Sequence, residues 1–337
     1  QRVVGALLAT PPDFDRPMPE GYPTLAALQV GGWLPVPRKP LPLRSLVATS
    51  DNDPLADRAR VLALAKDWGS DTVDLGEVGH LNLGAGRIVY QDLTRINKSI
   101  RDGELAGNPV LVEAMALAAK PGVRLHLMGL ISDGGVHSHQ DHVVALCAAA
   151  GAAGCRDVWV HAITDGRDTS PTGGAGYLRK LEADLAPTGA VIATVIGRYF
   201  AMDRDTRWER VVRAFDAFVN AKGEHAPDAN AAVAASYAKG ETDEFLAPTV
   251  IGEYQGAKDG DGFFCLNFRA DRAREILSML ADPAFDAHAT GPRPAWSALL
   301  GMVEYSSAHN AYMATAFPKR SLVNTLGEWV AAQGKTQ

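Results

Sequence analysis

The sequence predicts an α/β protein: a mainly parallel sheet with helices on both faces, preceded by a partial α/β amino-terminal remnant. Three observations carry this expectation. Apolar runs of strand length alternate with helix-length segments from about residue 90 onward. One of those segments, beyond Asp205, has an unbroken apolar face. Loops rich in arginine, histidine and aspartate directly follow the apolar runs. Strands that alternate with helices pair in parallel and bury both faces of their sheet.

Val3–Ala9 already reads as a strand. Residues 11–42 hold nine of the twenty prolines and little periodicity, which predicts an irregular connection. Leu46–Thr49 is a strand, about Ala56–Trp68 a helix and Thr72–Leu75 a short strand. Helices follow over roughly 90–103 and 109–119, then the apolar strand Val123–Ile131. Helix 141–152, strand Val158–Ile163, helix 174–185 and strand Val191–Ile196 keep the rhythm. Trp208, Val211, Val212, Phe215, Phe218 and Val219 then fall at i, i+3, i+4, i+7, i+10 and i+11, the spacing of one helix face. Strand Gly262–Asn267, helix 270–281, strand Trp296–Val303 and helix 321–333 close the chain.

A length of 337 residues suits about two domains, and 47% apolar residues supply their cores. A net charge of −6 argues against nucleic acid and anionic membranes as partners. Cys147, Cys155 and Cys265 are odd in number and sit in helix- or strand-like contexts, so they read as buried thiols of a reducing, cytoplasmic compartment. No apolar run reaches the roughly 18 residues of a membrane span, and no signal peptide is visible. The start at Gln1, with a strand-like run already under way, looks like an interior cut.

Four segments repeat one theme: Ser132–His137, Asp165–Asp168, Gly197-Arg198 with Asp203-Arg204, and Asn267–Arg272. Loops at the carboxyl ends of strands are where α/β sheets bind ligands. Arg167, Arg198, Arg204, Arg269 and Arg272, with His137, would suit a small phosphorylated or carboxylated anion, because the guanidinium fork matches such oxygens. Ordinary surface ion pairs are the plainer alternative. His137-Ser138-His139-Gln140-Asp141-His142 also resembles the zinc signature of metallo-β-lactamase-fold hydrolases, so a zinc hydrolase stands as another. Leu83-Gly84-Ala85-Gly86 lacks the third glycine and the acidic residue of a dinucleotide loop. No G-x-S-x-G elbow or Walker A sequence occurs.

From Glu77 onward the chain resembles the 2,3-bisphosphoglycerate-independent phosphoglycerate mutases. The stretches that carry this are Glu77–Gln91, Arg95–Gly103, Leu130–His139, Asp165–Pro171, Gly197–Val211, Asn267–Ile276 and Ser321–Trp329, in family order. The resemblance implies a phosphatase-like domain interrupted by a phosphotransferase domain. It also implies isomerisation of 3-phosphoglycerate to 2-phosphoglycerate in glycolysis, two manganese ions in the intact family, and a monomer. His137, Arg167, Asp168, Arg198, Arg204, Arg269 and Arg272 match the family's substrate contacts.

Departures accompany the match. The family's nucleophilic serine falls at Gly76, which has no side-chain oxygen to phosphorylate. The metal-bearing segments have no counterpart, so no metal is expected to bind this chain and no turnover is expected from it alone. Non-catalytic binding of phosphoglycerate-like anions is the alternative this leaves. Residues 1–80 instead resemble the carboxyl half of retinoblastoma-binding-protein-9-type α/β-hydrolases, through Gly5–Pro12, Trp33–Pro42, Ser45–Pro54 and Asp67–His80. That resemblance puts Asp53 and His80 at triad positions, without the serine. The chain is thus expected to be a chimeric fragment. Its parts would be a hydrolase-like remnant over 1–80, a phosphotransferase domain over 81–310, and the start of a returning phosphatase-like domain over 311–337.

Overall fold

Long apolar runs become central strands here. In the computed structural model, Leu125–Ile131 is buried along its whole length, and Val158–Thr164 and Val191–Gly197 nearly so. A strand covered on both faces has no solvent side to mark with polar residues. The structure describes residues 5–9, 25–30, 38–40, 44–49, 58–74 and 91–319, together with Glu328, Ala331 and Ala332. The chain divides into two compact units, one of residues 1–91 with 321–337 and one of residues 92–320.

In the first unit, β1 (Gly5–Ala9), β2 (Arg44–Thr49) and β3 (Asp71–Asp74) form a parallel sheet in that order. Helix α1 is Leu25–Val30 and α2 is Arg58–Trp68. Val61 and Ala65 of α2 pack on Val47 of β2, with Trp68 beside them. The expected pairing of Leu46–Thr49 with the strand after α2 is present. The unbroken irregular connection over 11–42 is corrected, because α1 lies within it.

The second unit begins with α3 (Asp92–Arg101) and α4 (Pro109–Ala118). Asn108 caps α4 by accepting from Val110 N at 3.0 Å, and Pro109 takes the first helical turn, where no N–H is needed. Then come β4 (Leu125–Ile131), α5 (Gln140–Ala152), β5 (Val158–Thr164), α6 (Gly174–Leu185) and β6 (Val191–Gly197). A single turn, α7 (Arg198–Ala201), leads to α8 (Trp208–Asn220). The expected face of α8 is inward: Val211, Phe215, Phe218 and Val219 are buried, while Trp208 and Val212 pack against the same core. The unit continues with β7 (Glu224–Ala226), α9 (Ala229–Ala238), β8 (Thr249–Ile251), β9 (Gly262–Cys265), α10 (Arg274–Ala281), β10 (Ala298–Gly301) and β11 (Ala314–Thr315).

Its eight strands run in the order β11-β10-β9-β4-β5-β6-β8-β7. Every neighbouring pair is parallel except β6 with β8. The mainly parallel α/β class is therefore the observed one. β7, α9, a 3-10 turn at Asp243–Phe245 and β8 are additions to the expectation, and α10 begins four residues late because Arg269–Ala273 stays a loop. Helix 321–333 falls mostly outside the described residues; Glu328, Ala331 and Ala332 are helical. All three cysteines are buried free thiols, and burial pushes Cys147 up to about 12 and Cys265 to about 11.

Candidate anion site at the strand ends

The sheet order explains why four separate motifs meet. β9, β4, β5 and β6 are neighbours and all point the same way. The segments after them begin at Leu266, Ser132, Asp165 and, as the first residue of α7, Arg198, so each motif leaves the same edge.

Arg198 lies at the centre. Its Nη1 donates to Asp165 Oδ1 at 2.6 Å and to Asp168 Oδ2 at 2.5 Å, and its Nη2 meets His137 Nε2 at 3.1 Å. The Arg198 and Asp165 side chains are almost wholly buried. Asp165 also shapes its own loop, since Oδ1 accepts from Arg167 N and Asp168 N and Oδ2 from Ser132 Oγ. The turn between them needs glycine: Gly166 has φ +70, and a Cβ there would press on Asp243 and Glu244. Burial disfavours the Asp168 carboxylate, but Arg198 outweighs it and holds the group below its ordinary range.

A second carboxylate holds the other arginines. Asp271 Oδ2 accepts from Arg204 Nη1 at 3.1 Å, and Oδ1 pairs with Arg269 Nε at 3.3 Å. Burial would raise Asp271, yet Arg269, His137 and Arg204 keep it low. Arg272 donates to Met202 O at 3.2 Å, and its own charge is opposed by burial and then by Arg204, Arg198 and Arg167. Arg167 stands at the rim, more than half exposed, against Glu244 at 3.3 Å. Backbone bonds fix the loops to one another: Phe268 N donates to His137 O at 2.8 Å, and Leu130 N to Asn267 Oδ1 at 3.0 Å.

His137 is buried, and desolvation followed by the Arg198 charge lowers it to about 4, so its ring is neutral at pH 7. The cluster thus has five guanidiniums facing Asp165, Asp168, Asp271 and Glu244. Such an arrangement can exchange internal carboxylates for an external anion of similar charge.

All seven residues singled out in the sequence lie in this cluster. Asp165 and Asp271 were passed over as binding groups. The alternation of acid with arginine inside the same motifs was the available signal, because guanidiniums crowded together need counter-charge when no ligand is bound. Gly76, Asp53 and His80 lie outside the described residues.

The zinc alternative finds no common centre, because its three histidines turn to three different partners. His137 meets Arg198, His139 Nδ1 caps α5 through Asp141 N at 3.2 Å, and His142 Nε2 meets Asn97 Oδ1 at 2.7 Å. Among the described residues, no group of three or more histidine, cysteine or acidic side chains could hold a metal ion. The described residues thus offer no grouping for the manganese ions that the resemblance implies. None of the helices among the described residues is long and apolar enough to cross a membrane.

A family description, BPG-independent PGAM N-terminus, matches residues 96–307, more than half of the chain. The chain belongs to the 2,3-bisphosphoglycerate-independent phosphoglycerate mutase family. Among the mutases it resembles, that of Cereibacter sphaeroides strain ATCC 17025 is 54% identical over 294 residues, covering 87% of this chain and 56% of the relative. That of Ruegeria sp. strain TM1040 is 55% identical over 282 residues, covering 83% of this chain and 55% of the relative. The chain spans about half the length of the curated relatives it matches. Its fold is similar to a phosphoglycerate mutase of Leishmania mexicana crystallised at low cobalt concentration, with a TM-score of 0.68 and 30% identity over 77% of this chain and 49% of the other. A second family description, Serine hydrolase, matches residues 1–96, in keeping with the hydrolase-like remnant.

Proposed function

We propose that the strand-end cluster is the phosphoglycerate-binding half of an intramolecular phosphotransferase, and that this chain alone binds 3-phosphoglycerate and 2-phosphoglycerate without interconverting them. The observation that carries the reading is the arrangement of Arg198, Arg204, Arg269 and Arg272 around neutral His137, with carboxylates in the place an anion would take. Phosphoryl transfer asks a protein mainly for positioning and charge stabilisation, and this cluster supplies both. His137, Arg167, Asp168, Arg198, Arg204, Arg269 and Arg272 are the proposed contacts.

Gly76 speaks against turnover, because the phosphoryl group needs an oxygen nucleophile to accept it and glycine offers none. The same reading carries over a monomeric state and a cytoplasmic setting from the family resemblance.

Calorimetry with 3-phosphoglycerate tests the binding. Arg269→Ala should weaken it by about 1.5–3 kcal/mol, roughly 10- to 150-fold, as expected for one charged hydrogen bond. Equal affinity in wild type and variant would remove the proposed role. Formation of 2-phosphoglycerate by the unmodified chain, abolished by Arg269→Ala, would overturn the claim of binding without turnover.

A further inference from the structure

We propose that Asp271 is the positioning residue for His137: its Oδ1 is the acceptor for the imidazole Nδ1–H, and this keeps the Nε2 lone pair turned to Arg198. The functional meaning of this pair rests on the phosphoglycerate reading, but its geometry does not.

The tautomer follows from Arg198. A guanidinium can only donate, and Arg198 Nη2 lies 3.1 Å from His137 Nε2, so Nε2 must be the accepting nitrogen. A neutral ring then carries its proton on Nδ1. That atom is buried and has no hydrogen-bond partner, and Asp271 Oδ1 is also buried and unpartnered. The two orphans stand 3.8 Å apart. Leaving both unmet is costly, and an approach of roughly 1 Å satisfies them together.

The rest of the cluster explains why that bond is open. Asp271 is drawn the other way by Arg204 at 3.1 Å and by Arg269 at 3.3 Å, the latter an ion pair without hydrogen-bond geometry. An incoming phosphorylated anion takes over these guanidiniums, which frees the carboxylate to close on Nδ1–H. Anion capture and imidazole orientation are thereby one event. A carboxylate that fixes the proton on one imidazole nitrogen leaves the other as a defined acceptor.

The test is long-range ¹H–¹⁵N NMR of the histidine rings in the full chain at neutral pH, with and without 3-phosphoglycerate, in wild type, Asp271→Asn and Asp271→Glu. The wild-type His137 proton should reside on Nδ1 even without ligand, and 3-phosphoglycerate should move its resonance downfield and slow its exchange. In Asp271→Asn, the amide oxygen stays with Arg204 and presents an NH₂ to Nδ1. Exchange of the ring proton should then be faster by about tenfold or more, and the Nε2–H tautomer should appear. Asp271→Glu should restore the wild-type pattern in part. A wild-type ring protonated on Nε2 overturns the proposal, even if a variant fails to fold. Identical tautomer and exchange in wild type and Asp271→Asn overturn it too. Absence of calorimetric 3-phosphoglycerate binding, with the ligand-free NMR differences intact, would instead sink the functional reading and leave the Asp271–His137 pair standing.

Discussion

Strands β4, β5, β6 and β9 carry two polar clusters, and the two differ in how completely their hydrogen bonds are made. One starts at the amino-terminal ends of β4 and β9. Arg124 donates through Nε and Nη2 to Asp261, whose Oδ2 meets His126 Nε2 at 3.1 Å. His126 Nδ1 meets His161 Nε2 at 3.0 Å, and His161 Nδ1 meets Thr194 Oγ1 at 3.0 Å. Tyr254, Trp296 and Phe218 close around the rings, and every side chain in the relay has its partner. The carboxyl-terminal cluster, by contrast, leaves His137 Nδ1 and Asp271 Oδ1 buried without one. A completed network serves the fold, because each buried group offsets another's desolvation. The other gathers its charged groups at the carboxyl ends of the strands, where α/β sheets bind ligands.

The contrast breaks most directly at Asp261. Burial would raise this carboxyl, but His126 and Arg124 hold it at about 2. Asp261→Ala leaves the buried Arg124 uncompensated and should cost about 3–5 kcal/mol in urea unfolding. Affinity for 3-phosphoglycerate, measured where the variant is still folded, should not change. A loss below about 1 kcal/mol would mean the relay is not a structural element.

Arg198→Met sharpens the comparison from the other side. Arg198 is as buried as the relay residues, yet it lies among the strand-end loops beside His137 and Asp168. Its loss leaves Asp165 and Asp168 without their cation, so stability should fall by about 2–3 kcal/mol and anion binding with it. Arg269→Ala, on a half-exposed side chain, should lower affinity while leaving stability within about 0.5 kcal/mol. If Arg198→Met reduced affinity without affecting the unfolding midpoint, the two clusters would differ less than their geometry indicates.

Acid should destabilise both clusters, since burial also lowers His126 and His161 of the relay. Burial lowers His137 and His142 to about 4 from an ordinary 6.5. Between those values the unfolded chain binds more protons than the folded one. Each histidine therefore contributes stability above pH 6.5 that is lost as pH falls toward 4, by about 1.4 kcal/mol per pH unit at most. Asp261, held at about 2 from an ordinary 3.8, contributes stability that is full above about pH 4 and is lost as pH falls from there toward 2. Saturating 3-phosphoglycerate should flatten the part of the slope due to His137, whose charged form the anion favours. An unfolding free energy that is level from pH 7 to 5 would contradict this assignment.

Much of this architecture was legible beforehand for a physical reason. Runs such as Leu125–Ile131 and Val158–Thr164 are apolar at most positions, His126, His161 and Thr164 apart, because both sheet faces are covered, and the face of α8 has full helical period. What escaped notice has weak contrast. β7 and β8 are three residues each, and α9 is an alanine-rich helix with little difference between its faces. The arginines were legible because each follows a strand that the sheet order makes a neighbour. Asp271 was not, because its role depends on reaching Arg204 from a loop 67 residues away in sequence. Likewise, the spacing of His137, His139 and His142 suggested a common metal, yet side-chain direction sends them to three partners.

The smallest effect concerns strain, and it asks whether the incomplete cluster also stores any. Among the described residues, Thr206 (φ 57) and Ala221 (φ 49) are the non-glycine residues with positive φ. Ala221 ends α8, where a left-handed residue closes the helix and glycine is the usual choice. Thr206 is β-branched, lies two residues beyond Arg204, and donates its N–H to Glu275 Oε1 at 2.9 Å. That bond ties the Arg204 loop to the helix that follows the Arg269 and Arg272 loop. A left-handed conformation costs an ordinary residue about 1–2 kcal/mol, and glycine gives back roughly 0.5–1 kcal/mol of this in unfolded-chain entropy. Ala221→Gly and Thr206→Gly should therefore each stabilise the fold by up to about 1 kcal/mol in urea unfolding. They should part in binding: Ala221→Gly leaves 3-phosphoglycerate affinity alone, while Thr206→Gly loosens the Arg204 loop and weakens it by about two- to fivefold, a few tenths to 1 kcal/mol. Equal affinity in both variants would show that the Thr206 strain belongs to the fold and not to the site.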